Sequence, residues 1–253
     1  AFSKNEQVIL FLNRRGYHGF FLCRDCGHVP QCQACSISLT HHSANKSMIC
    51  HYCGKMYHIP KVCPKCNSSR IGGFGAGTQQ IEEICHTEFP GKKVLRMDQD
   101  TTTGRTSHER ILQEFESGNV DILIGTQMIA KGHDYGNVTV VGIIAADMML
   151  GVPDFRASER TFQLITQAAG RAGRADKKGN VIIQAYNVDE YSIVHAARQD
   201  YEGFFMEEIA FRKVMVYPPF SVIGTIIVSA PSDNLAHMVA RKVHEELTEC
   251  SKE

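Results

Sequence analysis

Eight of the ten cysteines fall in four Cys-x-x-Cys pairs: Cys23/Cys26, Cys32/Cys35, Cys50/Cys53 and Cys63/Cys66. That spacing lets one tight turn offer two thiolates to one tetrahedral ion. Eight thiolates make two closed sites of four, so the sequence predicts two structural Zn2+ ions with no open position for a reacting water. Redox dithiols fit less well, because no thioredoxin-like βαβ pattern surrounds any pair. Gly27 and Gly54 directly follow their pairs, where the turn calls for a positive φ. The second and third pairs are separated by 14 residues, close to a zinc-ribbon spacing. That spacing favours a nested arrangement; a cross-braced one, first pair with third and second with fourth, stays open. His18, His28, His41, His42, His51 and His58 lie in or beside the segment, and read as surface or phosphate-contacting residues.

Charge is uneven around the cysteines. The formal net charge is zero over 253 residues. Yet Arg14, Arg15, Arg24, Lys46, Lys55, Lys61, Lys65 and Arg70 face a single acid, Asp25, between residues 14 and 70. Such an island suits a polyanion. It would equally offset the roughly two negative charges left on each four-thiolate zinc site.

Two further stretches could do chemistry. In Gln167-Ala-Ala-Gly170-Arg171-Ala-Gly173-Arg174, two guanidiniums three residues apart project the same way from a helix end. Paired guanidiniums suit a polyphosphate, which each can grip bidentately. Gly125-Thr126-Gln127 through Lys131-Gly132-His133-Asp134 follows a strand-type run and offers hydroxyl, amide and carboxylate groups for phosphate and ribose contacts.

The elements that must hold these residues alternate. Val8–Leu12 is a continuous apolar run, as in a strand buried on both faces. After a glycine-rich turn at 72–77, Thr78 is expected to N-cap a helix with Ile81, Ile84, Cys85 and Phe89 on its apolar face. Lys93–Met97 reads as a strand. Thr106 and Glu109 form a capping box for a helix with Ile111, Leu112 and Phe115, closed by Gly118. Val120–Ile124 and Val138–Ala145 read as strands, Ser158–Gly170 as a helix, and Val181–Gln184 as a strand. This order predicts an α/β domain with a mostly parallel sheet. Beyond 187 the sequence predicts a largely helical stretch over Tyr191–Met215 and a breaker at Tyr217-Pro-Pro-Phe220. A strand over Val222–Ser229 and a helix over Asn234–Cys250 follow. Cys85 and Cys250 read as packing residues.

Together these motifs resemble the second motor lobe of a superfamily 2 helicase. Residues 125–134 look like the fifth helicase motif, 167–174 like the sixth, and Val8–Gly16 with Asn13-Arg14-Arg15 like the fourth. A second lobe interrupted by an eight-cysteine insertion is narrower still, and resembles the bacterial primosomal helicases that restart stalled replication forks. Phe11–Tyr17, Gly77-Thr-Gln79, Arg96–Asp100 and Asp154–Arg160 agree with it.

The resemblance implies a RecA-like second lobe over 1–22 and 72–187, a two-zinc insertion over 23–71, and the start of a C-terminal DNA-binding domain over 188–253. It implies one ion on Cys23, Cys26, Cys63 and Cys66, and the other on Cys32, Cys35, Cys50 and Cys53. Arg171 and Arg174 would reach the γ-phosphate of ATP, held with Mg2+, as arginine fingers. Gly132, Asp134, Gln167 and Gly170 would line the nucleotide. Thr126, Gln127, Arg14 and Arg15 would touch DNA. Implied partners are branched fork DNA, primosomal proteins and single-stranded DNA-binding protein.

The sequence holds no G-x-x-x-x-G-K-[ST] and no Asp-Glu box after a strand. The chain alone is therefore expected not to hydrolyse ATP. It reads as a fragment of a longer chain. No secretory signal and no run of 18 apolar residues are present, so no membrane partner is expected and the expected compartment is the bacterial cytoplasm. The competing reading is a zinc-ribbon module that binds DNA or protein without ATP. A zinc hydrolase is disfavoured by closed all-thiolate sites and the lack of His-Glu-x-x-His.

Overall fold

The computed structural model describes residues 1–12, 21–42, 47–73, 77–98, 101, 105–126, 129, 135–173 and 177–250. In chain order the elements are β1 (Gln7–Leu12), β2 (Phe21–Cys23), β3 (Thr40–His42), β4 (Ser47–Ile49), β5 (Met56–His58), β6 (Ile71–Gly73), α1 (Thr78–Glu88) and β7 (Val94–Met97). They continue with α2 (Arg105–Glu116), β8 (Ile122–Gly125), β9 (Val138–Ile144), α3 (Ala157–Ala169), β10 (Asn180–Ile183), α4 (Tyr191–Arg198), α5 (Tyr201–Val214) and α6 (Asp233–Cys250). The chain divides into two compact units, residues 1–211 and 212–253.

In the first unit five strands form a parallel sheet in the order β10-β9-β1-β8-β7. The strand period of two sends alternate residues of β1 to opposite faces. Ile9 and Phe11 join a core with Leu112 and Phe115 of α2, Phe162 and Ile165 of α3, Ile193 of α4 and Phe204 of α5. Val8 and Leu12 join the other core, with Ile81 and Cys85 of α1. Helices thus cover both faces of β1, which explains its unbroken apolar run. Gln7 is the polar exception. It is buried, and its side-chain amide donates to the Phe115 and Val120 carbonyls at 2.7 and 2.8 Å, closing the end of α2.

The cysteine segment replaces the connection between β1 and α1. It leaves the lobe through an antiparallel neck, β2 paired with β6. Beyond the neck lies a three-stranded antiparallel sheet, β3-β4-β5. Its core is small: Phe21, Cys32, Leu39, Met48 and Cys50 are its buried members. In open α/β sheets, ligands bind at the carboxyl edge from which this insertion springs.

Several expectations need correction. Gly77, not Thr78, caps α1; Thr78 is the first helical residue, and its hydroxyl donates to Asp98 at 2.5 Å. Helix α2 begins at Arg105, so Thr106 lies inside it rather than at its cap; the Thr106 side chain is outside the described residues. The expected helix over 191–215 is two helices, broken where Gln199 takes φ 54°. β10 is an edge strand of the sheet, and its Val181 and Ile182 are exposed.

In the second unit, 222–229 forms no strand or helix, and Val222 is 97% exposed. The strand expected there has no partner strand among the described residues, and a strand exists only as a pair. Helix α6 buries no residue, and Cys250 at its end is exposed rather than packed.

Candidate functional site

The four cysteine pairs share one backbone turn. In each, the N–H four residues after the first cysteine donates to that cysteine's carbonyl: Gly27 to Cys23 at 2.8 Å, Ser36 to Cys32 at 2.8 Å, Gly54 to Cys50 at 2.9 Å and Asn67 to Cys63 at 2.8 Å. The first cysteine's own N–H returns to the carbonyl five residues on, namely His28, Ile37, Lys55 and Ser68. Closing so tight a loop forces the fourth residue into the left-handed region. The φ values are 68° at Gly27, 50° at Ser36, 71° at Gly54 and 58° at Asn67. Glycine accepts that region freely and asparagine tolerates it, whereas serine pays about 1–2 kcal/mol. Ser36→Gly is therefore expected to tighten metal binding at its site by about 2- to 5-fold, the equivalent of about 0.5–1 kcal/mol. Competition against a chelator measures it, and an unchanged affinity would show that Ser36 carries no such cost.

The turns converge in two groups, Cys23, Cys26, Cys63 and Cys66, and Cys32, Cys35, Cys50 and Cys53, with all sulfurs of a group within 4.8 Å of one another. The nearest sulfurs lie 3.5 Å apart for Cys23 and Cys66, 3.6 Å for Cys26 and Cys63, and 3.6 Å for Cys32 and Cys53. Four sulfurs at about 2.3 Å from one ion would stand about 3.8 Å apart. The donor set therefore fits two tetrahedral ions in number, type and spacing.

The acidities point the same way. Burial opposes ionisation of Cys32, but the Tyr57 hydroxyl and the Cys35 and Ala34 N–H groups outweigh it and bring the thiol down to about 6. Cys23 is brought down to about 7 against its burial by the Asp25 and Cys26 N–H groups. Burial pushes Cys26 up to about 12, helped by the neighbouring sulfurs, and does the same to Cys35. Each group thus holds one easily formed thiolate beside two thiols held above the ordinary value.

The metal module is seated on the lobe. Ser38 donates to the Leu150 carbonyl at 2.6 Å, and the Phe155 N–H donates to the Tyr52 hydroxyl at 3.3 Å. Gly27 meets the chain after β10, where a Cβ on it would lie 2.5 Å from the Asn187 nitrogen. That segment cannot yield, because the buried Asp147 carboxylate accepts from both the Tyr186 and Asn187 N–H groups, at 2.8 and 2.9 Å. Gly27→Ala is expected to cost about 2–4 kcal/mol, combining backbone strain with overpacking. Gly54 has a similar φ and open space around it, so Gly54→Ala should cost only the strain, about 1–2 kcal/mol. Equal losses in denaturant titrations of the two variants would mean that the seat is not tight.

At the other end of α3, which starts beside this seat, lies the arginine stretch. The helix ends at Ala169 with Gly170 as its cap. Arg171 continues in a tighter turn, its N–H donating to Ala168 at 3.1 Å. The Gly173 N–H then donates to Val138 at 2.9 Å, tying the turn to the entry edge of β9. Gly173 (φ 71°) packs so closely on Gly179 that a Cβ would lie 2.2 Å from the Gly179 nitrogen. Gln167 is exposed and Arg171 half-buried. Thr126 is buried at the exit edge of β8, the opposite edge of the sheet. The structure thus groups Gln167, Gly170 and Arg171, and sets Thr126 apart from them. Arg14, Arg15, Gln127, Gly132, Asp134 and Arg174 lie outside the described residues.

Comparison with known proteins follows the same division. Residues 32–56 match the PriA DNA helicase Cys-rich region (CRR) domain, and residues 55–176 match the Helicase conserved C-terminal domain. The replication restart protein PriA of Bacillus subtilis is 48% identical over 241 residues, 95% of this chain and 30% of that protein. This chain is a member of the PriA family over the stretch it spans. The PriA of Synechocystis is 42% identical over 86% of the chain and 27% of its own length, and that of Chlamydia pneumoniae 42% over 96% and 33%. The chain thus spans about a third of the length of the curated PriA relatives it matches. It carries the RecA-like parallel sheet and the cysteine-rich region of that family.

Some features of this PriA segment escaped the sequence. Gly27 and Gly54 announced two of the turns, but Ser36 and Asn67 occupy the same position without an obvious signal. Tyr57, which donates to the Cys32 sulfur at 3.2 Å and accepts from the Gln33 N–H, supports a ligand from 25 residues away. Neither Tyr52 nor Ser38 advertises a contact with a loop more than 100 residues downstream.

Proposed function

We propose that this chain is the second motor lobe of an ATP-dependent DNA helicase that restarts stalled replication forks and begins primosome assembly. The observation that carries this reading is the fixed turn at Gly170–Gly173, which holds Arg171 at the end of a lobe helix in a PriA-family sheet. In this reading residues 1–22 and 72–187 form the lobe, 23–71 the two-zinc insertion, and 188–253 the start of a C-terminal domain. Zn2+ fills both cysteine groups and supplies structural cross-links, not chemistry. Arg171 and Arg174 stabilise charge on the γ-phosphate of an ATP–Mg2+ held by the first lobe of the complete protein. Gln167, Gly170, Gly132 and Asp134 line that nucleotide. Thr126, at the other edge, contacts the DNA backbone together with Gln127, Arg14 and Arg15. The separation of Thr126 from Arg171 supports this split between a DNA edge and a nucleotide edge.

The partners are branched DNA, primosomal proteins and single-stranded DNA-binding protein, and the compartment is the bacterial cytoplasm. No helix among the described residues is long and apolar enough to cross a membrane. A second reading is favoured by the absence of a phosphate-cradling G-x-x-x-x-G-K-[ST] from the sequence: a zinc-ribbon module that binds DNA or protein without an ATPase role. DNA-stimulated ATP hydrolysis by the complete protein, wild type beside Arg171→Ala and Arg174→Ala, separates the two. Unchanged turnover would hand the conclusion to the binding module.

A further inference from the structure

Beyond the cysteine groups, one constellation in the insertion is unexplained by them. The β3-β4-β5 sheet turns His41, Met48 and Tyr57 toward the small core, where His41 packs on Phe21 at 5.7 Å between ring centroids. The next cross-strand row, His42, Ser47 and His58, faces the other way. His51, from the third cysteine turn, reaches this row. Its Nε2 lies 3.2 Å from Nε2 of His42, with the rings 5.2 Å apart and inclined by 43°. The Ser47 hydroxyl, between His42 and His58 in the row, is buried and has no hydrogen-bond partner among the described residues. A buried hydroxyl without a partner is costly, and this one belongs to the residue paired across the strands with His42.

The separation of the nitrogens bears on how the two rings interact. Two imidazoles bound to one ion at about 2.0–2.1 Å in tetrahedral geometry stand about 3.3 Å apart. The observed 3.2 Å suits a shared ion as well as a direct hydrogen bond, which spans about 2.7–3.2 Å. Imidazole suits zinc, copper and nickel, whereas the harder magnesium and calcium prefer oxygen donors.

We propose that His42 and His51, with the Ser47 hydroxyl, form a third metal site on the outer face of the β3-β4-β5 sheet, taking a borderline divalent cation such as Zn2+. Unlike the cysteine sites, it has only three protein donors, one of them weak, so water completes the coordination and the ion exchanges. The site does not depend on the motor reading; it requires only the folded insertion.

Zinc titration of the chain with both cysteine groups already filled tests it. Calorimetry and metal content are expected to show a third, weaker equivalent. His42→Asn and His51→Asn should each weaken that equivalent at least about tenfold while keeping the first two. A chain that stops at two equivalents overturns the proposal, as does a third equivalent that survives both substitutions. Should either variant disturb the cysteine sites, the ring-nitrogen NMR signals of the wild-type chain decide. Shifts of His42 and His51 Nε2 with the third equivalent support the site, and unmoved signals overturn it.

Discussion

Stripping both ions from the cysteine groups is expected to abolish amide-exchange protection over residues 23–66 and to leave it intact in β1 and β9. The insertion's buried core has five members, two of them ligands themselves. A segment of about 40 residues seldom buries enough apolar surface to offset its chain entropy. Structural zinc supplies roughly 10–16 kcal/mol at neutral pH, far more than such a core. The lobe is different, because its sheet is covered on both faces without help from the insertion.

The effect should depend on pH with a definite sign. At neutral pH the free groups keep protons on Cys26 and Cys66 in one site, and on Cys35 and Cys50 in the other, all raised above the ordinary thiol value. An ion must displace at least two protons per site. Affinity should therefore fall about a hundredfold or more for each unit drop in pH, so that acid and chelator act together. Protection over 23–66 that outlasts removal of both ions, confirmed by metal content, would refute the idea that metal folds this segment.

What the sequence told and withheld divides by the range of the interaction. The cysteine spacing, the apolar run of β1 and the alternation of strands and helices are local patterns, and they marked the zinc segment and the α/β class. The seat of the insertion is not local. Gly27 meets Asn187, and Ser38 meets Leu150, only because the chain between them folds into a sheet. Propensity misled at 222–229, where a run rich in β-branched residues has no partner strand among the described residues. It also missed the break at Gln199, which carries no glycine or proline to mark it. Ser36 is the subtler case. Nothing in its residue type suggests a left-handed conformation, yet its place in a fourfold-repeated turn requires one.

The second large effect is expected at the arginines. In a complete PriA-family protein carrying this chain, Arg171→Ala and Arg174→Ala should each lower DNA-stimulated kcat by about a thousandfold or more, with DNA affinity kept. An arginine finger is worth about 10³–10⁵ in phosphoryl transfer because it meets charge that grows only in the transition state. A thousandfold is about 4 kcal/mol, reasonable for a guanidinium held in place before the reaction begins. The structure shows how Arg171 is held: its turn is bonded back to Ala168, tied forward through Gly173 to β9, and wedged against Gly179. Lysine keeps the charge but not the planar fork, so Arg171→Lys should recover little. Gly173→Ala leaves both arginines present but cannot keep φ 71° or the contact with Gly179, and should also lower kcat. If turnover were lost with Gly173→Ala and kept with Arg171→Ala, the turn would matter for folding and not for the phosphate. The chain by itself should show no turnover in any of these forms, since its sequence lacks the loop that cradles the phosphates.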